Sequence, residues 1–125
     1  MLANSKPISM LPVVEMSRAR KFYEETLGLP RGNARPNGET VYETGGGRFA
    51  LYPRQTPTKA DHTALSFEVQ DLGAEMKALR SRGVRFEEYD YPGLKTENGV
   101  CVLGSEKAAW FKDPEGNILC LHQDI

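Results

Sequence analysis

Apolar and polar positions along the 125-residue chain follow one order twice. Ile8 to Val14 is a short run of β-formers in which Leu11 and Val13 line one side, the pattern of a strand. Ser17 then precedes Ala19, Phe22, Tyr23 and Leu27 at helical spacing, with Gly28 placed to end the turn, so Ser17 is the expected cap. Turn signals at Pro36-Asn37-Gly38 and Gly45-Gly46-Gly47 bracket two runs, Thr40 to Thr44 and Arg48 to Tyr52, that read as hairpin strands. The polar stretch from Arg54 to Asp61, RQTPTKAD, reads as a linker. Beyond it His62 to Val69 alternates, with Leu65, Phe67 and Val69 on one side and Ala64, Ser66 and Glu68 on the other. Asp71 caps a second helix with Leu72, Met76 and Leu79 on its stripe, and Gly83 ends it. Val84 to Tyr89, Ala108 to Lys112 and Ile118 to His122 follow as extended segments. Tyr89 to Gly99, YDYPGLKTENG, is a long irregular insertion of the kind that often covers a binding site.

The duplication survives subtraction: Leu11 and Phe67, Val13 and Val69, and Glu15 and Asp71 each stand 56 positions apart. The predicted fold is therefore α+β, with one βαβββ module over about residues 6–53, a linker over about 54–61 and a second module over about 62–125.

Composition narrows the function. A net charge of −1 with interspersed signs gives no broad footprint for nucleic acid or an anionic membrane. No apolar run is long enough to span a bilayer, so a cytoplasmic location is expected. Cys101 and Cys120, the two cysteines, suit free thiols in a reducing compartment.

Phe22-Tyr23 followed by Leu27-Gly28, the junction Phe67-Glu68-Val69-Gln70-Asp71-Leu72, and Trp110-Phe111-Lys112-Asp113-Pro114-Glu115-Gly116-Asn117 together resemble the vicinal oxygen chelate superfamily, the glyoxalase, bleomycin-resistance and dioxygenase group. The last segment is similar to that family's F-x-D-P-[DE]-G-N turn. The resemblance implies two modules curling into a half-open, cavity-bearing, barrel-like mixed sheet, often in a homodimer. It places the family's metal ligands at Ile8, Ala50, Ala64 and Cys120, of which only Cys120 offers a donor. A divalent cation needs about three oxygen, nitrogen or sulfur donors, so no metal cofactor is expected.

Period-two alternation puts Ala64, Ser66 and Glu68 on the cavity side, together with Cys120 and His122. With Ala64 level with Cys120 on parallel strands, His62 and His122 would lie about four residues apart, roughly 13 Å, too far to share a metal. Ile8, Met10, Ala50, Tyr52, His62, Ala64, Ser66, Trp110, Cys120 and His122 are the expected cavity residues. Tyr52 can stack or hydrogen-bond, or pack at the module interface; Trp110 can wall a planar ligand or serve the core. Glu68 is the candidate base if a partly apolar cavity raises its pKa. Cys120 reads as a small buried hydrophobe, since no partner base stands out. Gly45-Gly46-Gly47 lacks the lysine and helix of a phosphate loop.

Three functions follow as expectations. The first is a metal-free protein that binds or sequesters a small organic molecule in an apolar pocket. The second is an enzyme, lactoylglutathione-lyase-like or dioxygenase-like, with divalent metal ligands displaced to residues such as His62, Glu68, Cys120 and His122. The third is a protein-interaction module with a vestigial cavity.

Overall fold

In the computed structural model, which describes residues 1–125, strand β1 (Ser9–Val13) buries Leu11 and Val13 against the helices and leaves Met10 43% exposed on the opposite face. Helix α1 (Met16–Lys21) continues as a π turn over Phe22–Thr26. Gly28, at φ 75°, then reverses the chain, and the Leu29 N–H donates to the Tyr23 carbonyl.

Ser17 is not the cap. The helix begins one residue before it, and the N–H groups entering the helix are met from across the molecule. The Glu115 carboxylate accepts from Val14 N at 2.5 Å, Glu15 N at 3.2 Å and Arg18 Nη2 at 2.7 Å. A carboxylate there also meets the positive end of the helix dipole, which a serine hydroxyl does less well.

β2 (Asn33–Ala34), β3 (Thr40–Thr44) and β4 (Gly47–Pro53) complete the first sheet in the order β1-β4-β3-β2, with β1 and β4 parallel. Gly45 and Gly46, both at positive φ, make the β3–β4 turn. The second module repeats this wiring. β5 (Thr63–Glu68) leads into α2 (Leu72–Ser81), where Asp71 Oδ1 accepts from Ala74 N at 3.0 Å as the sequence led us to expect. After a small hairpin, β6 (Asp90–Tyr91) with β7 (Leu94–Lys95), come β8 (Cys101–Leu103), β9 (Glu106–Lys112) and β10 (Ile118–Asp124). The sheet order is β5-β10-β9-β8, with β5 and β10 parallel.

Two edges differ from expectation. β2 and β8 were not foreseen, and Val84 to Tyr89 forms a single bridge, Phe86 to Phe111, in place of a strand. Its polar groups are committed to the insertion: Glu88 Oε1 accepts from Thr96 Oγ1 at 2.6 Å and Gly99 N at 2.9 Å, while Tyr89 N donates to Thr96 Oγ1 at 2.8 Å. Only Glu87 N still reaches β9, at the Trp110 carbonyl.

β1 and β5 meet at the junction of the two sheets, which do not close into a barrel. One core runs beneath both, joining Leu11, Tyr42, Phe49 and Leu51 of the first sheet to Phe111, Leu119 and Leu121 of the second through Tyr23 and Leu72 of the helices. Each such side chain contributes about 1.5–3 kcal/mol on burial.

The turn from Asp113 to Asn117 ties the modules together with buried polar groups. Asp113 Oδ2 accepts from Tyr23 Oη at 2.7 Å and Asn117 Nδ2 at 2.9 Å, its Oδ1 accepts from Glu115 N and Asn117 N, and Asn117 Nδ2 also reaches the Pro12 carbonyl at 3.0 Å. These carboxylates are thus structural. No helix is long and apolar enough to cross a membrane.

Candidate functional site

The helices cover one face of each sheet, and the candidate residues fall largely on the other. Strand register arranges that second face in rows. In the first sheet Met10 pairs with Ala50 and Ala50 with Val41, which pairs with Asn33, giving an apolar middle row ending in an amide. Glu43 and Arg48 pair in the next row, and continuing both ladders adds Arg31 on one side and Ile8 on the other. In the opposite direction the same ladders place Arg35, Glu39, Tyr52 and Pro12, with Arg35 N donating to the Glu39 carbonyl at 2.7 Å. A basin of about 450 Å³ opens over these rows, touching Ile8, Met10 and Val41 at its floor and the three arginines at its rim. Ala50 lies fully buried beneath longer neighbours, and Tyr52 is half-buried.

In the second sheet the corresponding rows are Ser66, Cys120 and Trp110, then Glu68, His122, Ala108 and Cys101. The observed register differs from the expected one by two residues, one of which is taken up by a bulge where β5 carries Ala64 as an extra residue between the Ile118 and Leu119 pairings. Ser66, not Ala64, is level with Cys120, and half-buried Ala64 packs against the core. Glu68 is level with His122, so His62, six positions earlier on the parallel neighbour, lies roughly 20 Å along the strands from it. His62 is exposed and its Nδ1 contacts the Thr63 carbonyl at 3.2 Å.

Two polar groups meet across adjacent rows of this face. Ser66 Oγ and His122 Nδ1 hydrogen-bond at 2.6 Å, with the exposed Glu68 beside them. Cys120 is buried, and burial pushes its thiol pKa up, against the smaller opposing effects of Ser66 and the Ala109 backbone. A thiol held in its neutral form is a poor nucleophile and a poor ligand.

Trp110 is half-buried, and its Nε1 donates to Thr63 Oγ1 at 3.1 Å. The insertion lays Tyr89 edge-on against it, ring centres 5.6 Å apart, and stacks Tyr91 on Tyr89 at 5.8 Å. Tyr91 is 59% exposed, and the Tyr89 phenol pKa is raised by burial and by neighbouring Glu87. Tyr89, Tyr91, Arg31 and Arg35 were not singled out in the sequence, because irregular loops and segments around short edge strands carry little periodic signal, and Arg48 was read only as the start of a hairpin strand.

The positions where the resemblance places metal ligands hold Ile8, Ala50, Ala64 and Cys120, and no three His, Cys, Asp or Glu side chains in the chain gather closely enough to hold an ion. His122 and Glu68 are adjacent but make only two donors. This set does not fit a divalent cation, which needs about three protein ligands.

Residues 8–121 match the family model for the Glyoxalase/Bleomycin resistance protein/Dioxygenase superfamily. No curated protein matches the sequence. Among solved structures, a glyoxalase family protein from Bacillus anthracis superposes with a TM-score of 0.71 at 17% identity, over 96% of each chain. The fosfomycin resistance protein FosX from Listeria monocytogenes gives 0.72 at 13% identity, over 98% of this chain and 94% of its own. A glyoxalase/bleomycin resistance protein from Albidiferax ferrireducens T118 gives 0.66 at 22% identity, over 93% and 95%. At these identities the likeness establishes the fold alone.

Proposed function

The chain belongs to the Glyoxalase/Bleomycin resistance protein/Dioxygenase superfamily, and from that premise we propose that it works without a metal, binding or sequestering a small organic molecule on the helix-free face of its sheets. The observation that carries this reading is the substitution of apolar side chains at the ligand positions, Ile8, Ala50 and Ala64, beside an open basin and a three-ring aromatic cluster. The basin volume of about 450 Å³ falls in the range of small-molecule sites. Met10, Tyr52, Trp110 and the pair Ser66 and His122 would supply contacts on either side of the sheet junction. A homodimer, in which a second copy faces this open surface, belongs to the same reading, as does a cytoplasmic location. The test is thermal melting of chelator-dialysed protein against aromatic and glycopeptide-like compounds. Binding raises Tm by mass action, and indifference to the whole panel would remove the proposal.

A second reading is favoured by the adjacency of His122 and Glu68, two donors on neighbouring strands with Ser66 hydrogen-bonded to the imidazole. It is a metal-dependent lyase, isomerase or dioxygenase completed by donors from elsewhere. Elemental analysis of protein purified without chelator decides it: stoichiometric nickel, zinc, iron or manganese supports this reading over the first.

A further inference from the structure

We infer that the basin on the first sheet receives an organic monoanion with an apolar body, an aryl or alkyl carboxylate; this rests on the binding role proposed above and names its chemical class. The floor supplies the apolar half of the match. Met10 is 43% exposed although it lies between Ile8 and Pro12 on a well-formed strand, and with Val41 it leaves hydrocarbon and thioether surface facing water.

The rim supplies the charge. None of Arg31, Arg35 and Arg48 is in ion-pair contact with a carboxylate, because the three ion pairs of the protein involve Arg18 and Arg20. Arg48 gives one donor to the Lys6 carbonyl at 3.0 Å, and the Arg31 and Arg35 side chains hydrogen-bond to nothing in the protein. A guanidinium carries five donors in a planar fork that matches a carboxylate, so these groups are ready to be filled by one.

Glu39 and Glu43 on the same face leave the basin with three positive and two negative groups. Their presence favours a single negative charge over a double one, and discriminates carboxylate from phosphate dianion. The arginines are also held in place from beneath. A Cβ on Gly32 would sit 2.4 Å from Thr40 Cγ2 and 2.7 Å from Tyr42 Cζ, so glycine lets the segment from Arg31 to Arg35, which contains β2, press onto β3. Arg20, fixed by Glu24 at 2.9 Å, donates to the Gly32 carbonyl at 3.3 Å and pins that segment.

The experiment is a titration of ¹⁵N-labelled protein with 2-naphthoate, with its neutral analogue 2-naphthalenemethanol and with inorganic phosphate, following backbone amides. Naphthoate is expected to shift the amides of Asn33, Val41 and Ala50 saturably, the alcohol to bind at least tenfold more weakly, and phosphate to leave them in place. The double variant Arg31→Gln with Arg35→Gln should weaken naphthoate about tenfold while amides of the second sheet keep their positions, which shows that the fold is intact. If the alcohol or phosphate matches naphthoate, if the double variant binds as well as the parent, or if shifts fall on Ser66, Cys120 and Trp110 instead, the carboxylate assignment is overturned and the broader binding role survives. Absence of saturable shifts with both naphthalene compounds overturns the assignment, and absence of any hit in the melting panel would take the binding role with it.

Discussion

The first module joins its last two strands through a two-glycine turn and leaves its helix-free face open as a charged basin, whereas the second covers part of the same face with its own aromatic loop. Helix starts Met16 and Leu72 stand 56 positions apart, but last strands beginning at Gly47 and Ile118 stand 71 apart, so the second module carries about fifteen extra residues. Those residues bring Tyr89 onto Trp110 and commit Glu88 and Thr96 to the loop's own hydrogen bonds. The modules differ as well in how they hold their helices. α2 is capped locally by Asp71 and from afar by Gln123, whose Oε1 accepts from Leu72 N at 2.7 Å, while α1 depends on Glu115 of the other module. One architecture, once duplicated, can thus divide its labour: the first module offers surface and the second supplies the fastenings.

The largest break in that comparison should come from Asp113→Ala. It strips four hydrogen bonds in the buried turn, and denaturant unfolding should show a loss of about 4 kcal/mol, since buried donors are left unmet. Substituting Gly47, the first residue of β4 after the corresponding turn of the first module, where an added Cβ meets only the Thr44 carbonyl oxygen at 3.7 Å, should cost far less.

Acid should reveal the same fastening. Glu115 has its pKa lowered despite the opposing effect of burial, through hydrogen bonds from Val14, Arg18 and Glu15. A depressed folded pKa means its stabilisation is fully present above the unfolded value of about 4.3 and is lost as pH falls through the folded value. Unfolding free energy should therefore decline below about pH 4.5, and Glu115→Gln should cost about 2 kcal/mol at neutral pH while flattening that acid slope.

A smaller effect separates the helix starts. Asp71→Ala should cost about 1 kcal/mol and Ser17→Ala at most a few tenths, because only the former removes a cap. Equal losses would mean that α1 is capped locally after all. Smallest in consequence for the fold is the thiol: native Cys120 should alkylate on the order of tenfold more slowly than an unfolded cysteine at pH 8, as burial keeps it protonated.

Where order in the chain is local, the sequence carried it. Leu11 and Val13 announced β1, Thr40–Thr44 matched β3 residue for residue, Asp71 capped α2, and Gly28 and Gly83 ended their helices at positive φ. What escaped were features set at a distance. Ser17 looked like a cap because nothing near it signals that Glu115, a hundred positions on, would do the work. Ser66 stands level with Cys120 in a register that includes an extra residue, Ala64, on β5, and alternation along one strand has no means of reporting its register on the next or an inserted residue. Arg31 and Arg35 flank a two-residue edge strand, Asn33–Ala34, too short for periodicity to reveal.

A metal-free binding role requires above all that the helix-free face bind no divalent cation. Addition of equimolar Mn²⁺ to ¹⁵N-labelled protein tests it, because a bound paramagnetic ion erases nearby amide signals. Uniform, weak broadening across the spectrum is the expected result. Selective loss of the Ser66, Glu68, Cys120 and His122 amides, or of Met10 and Ala50, would contradict it.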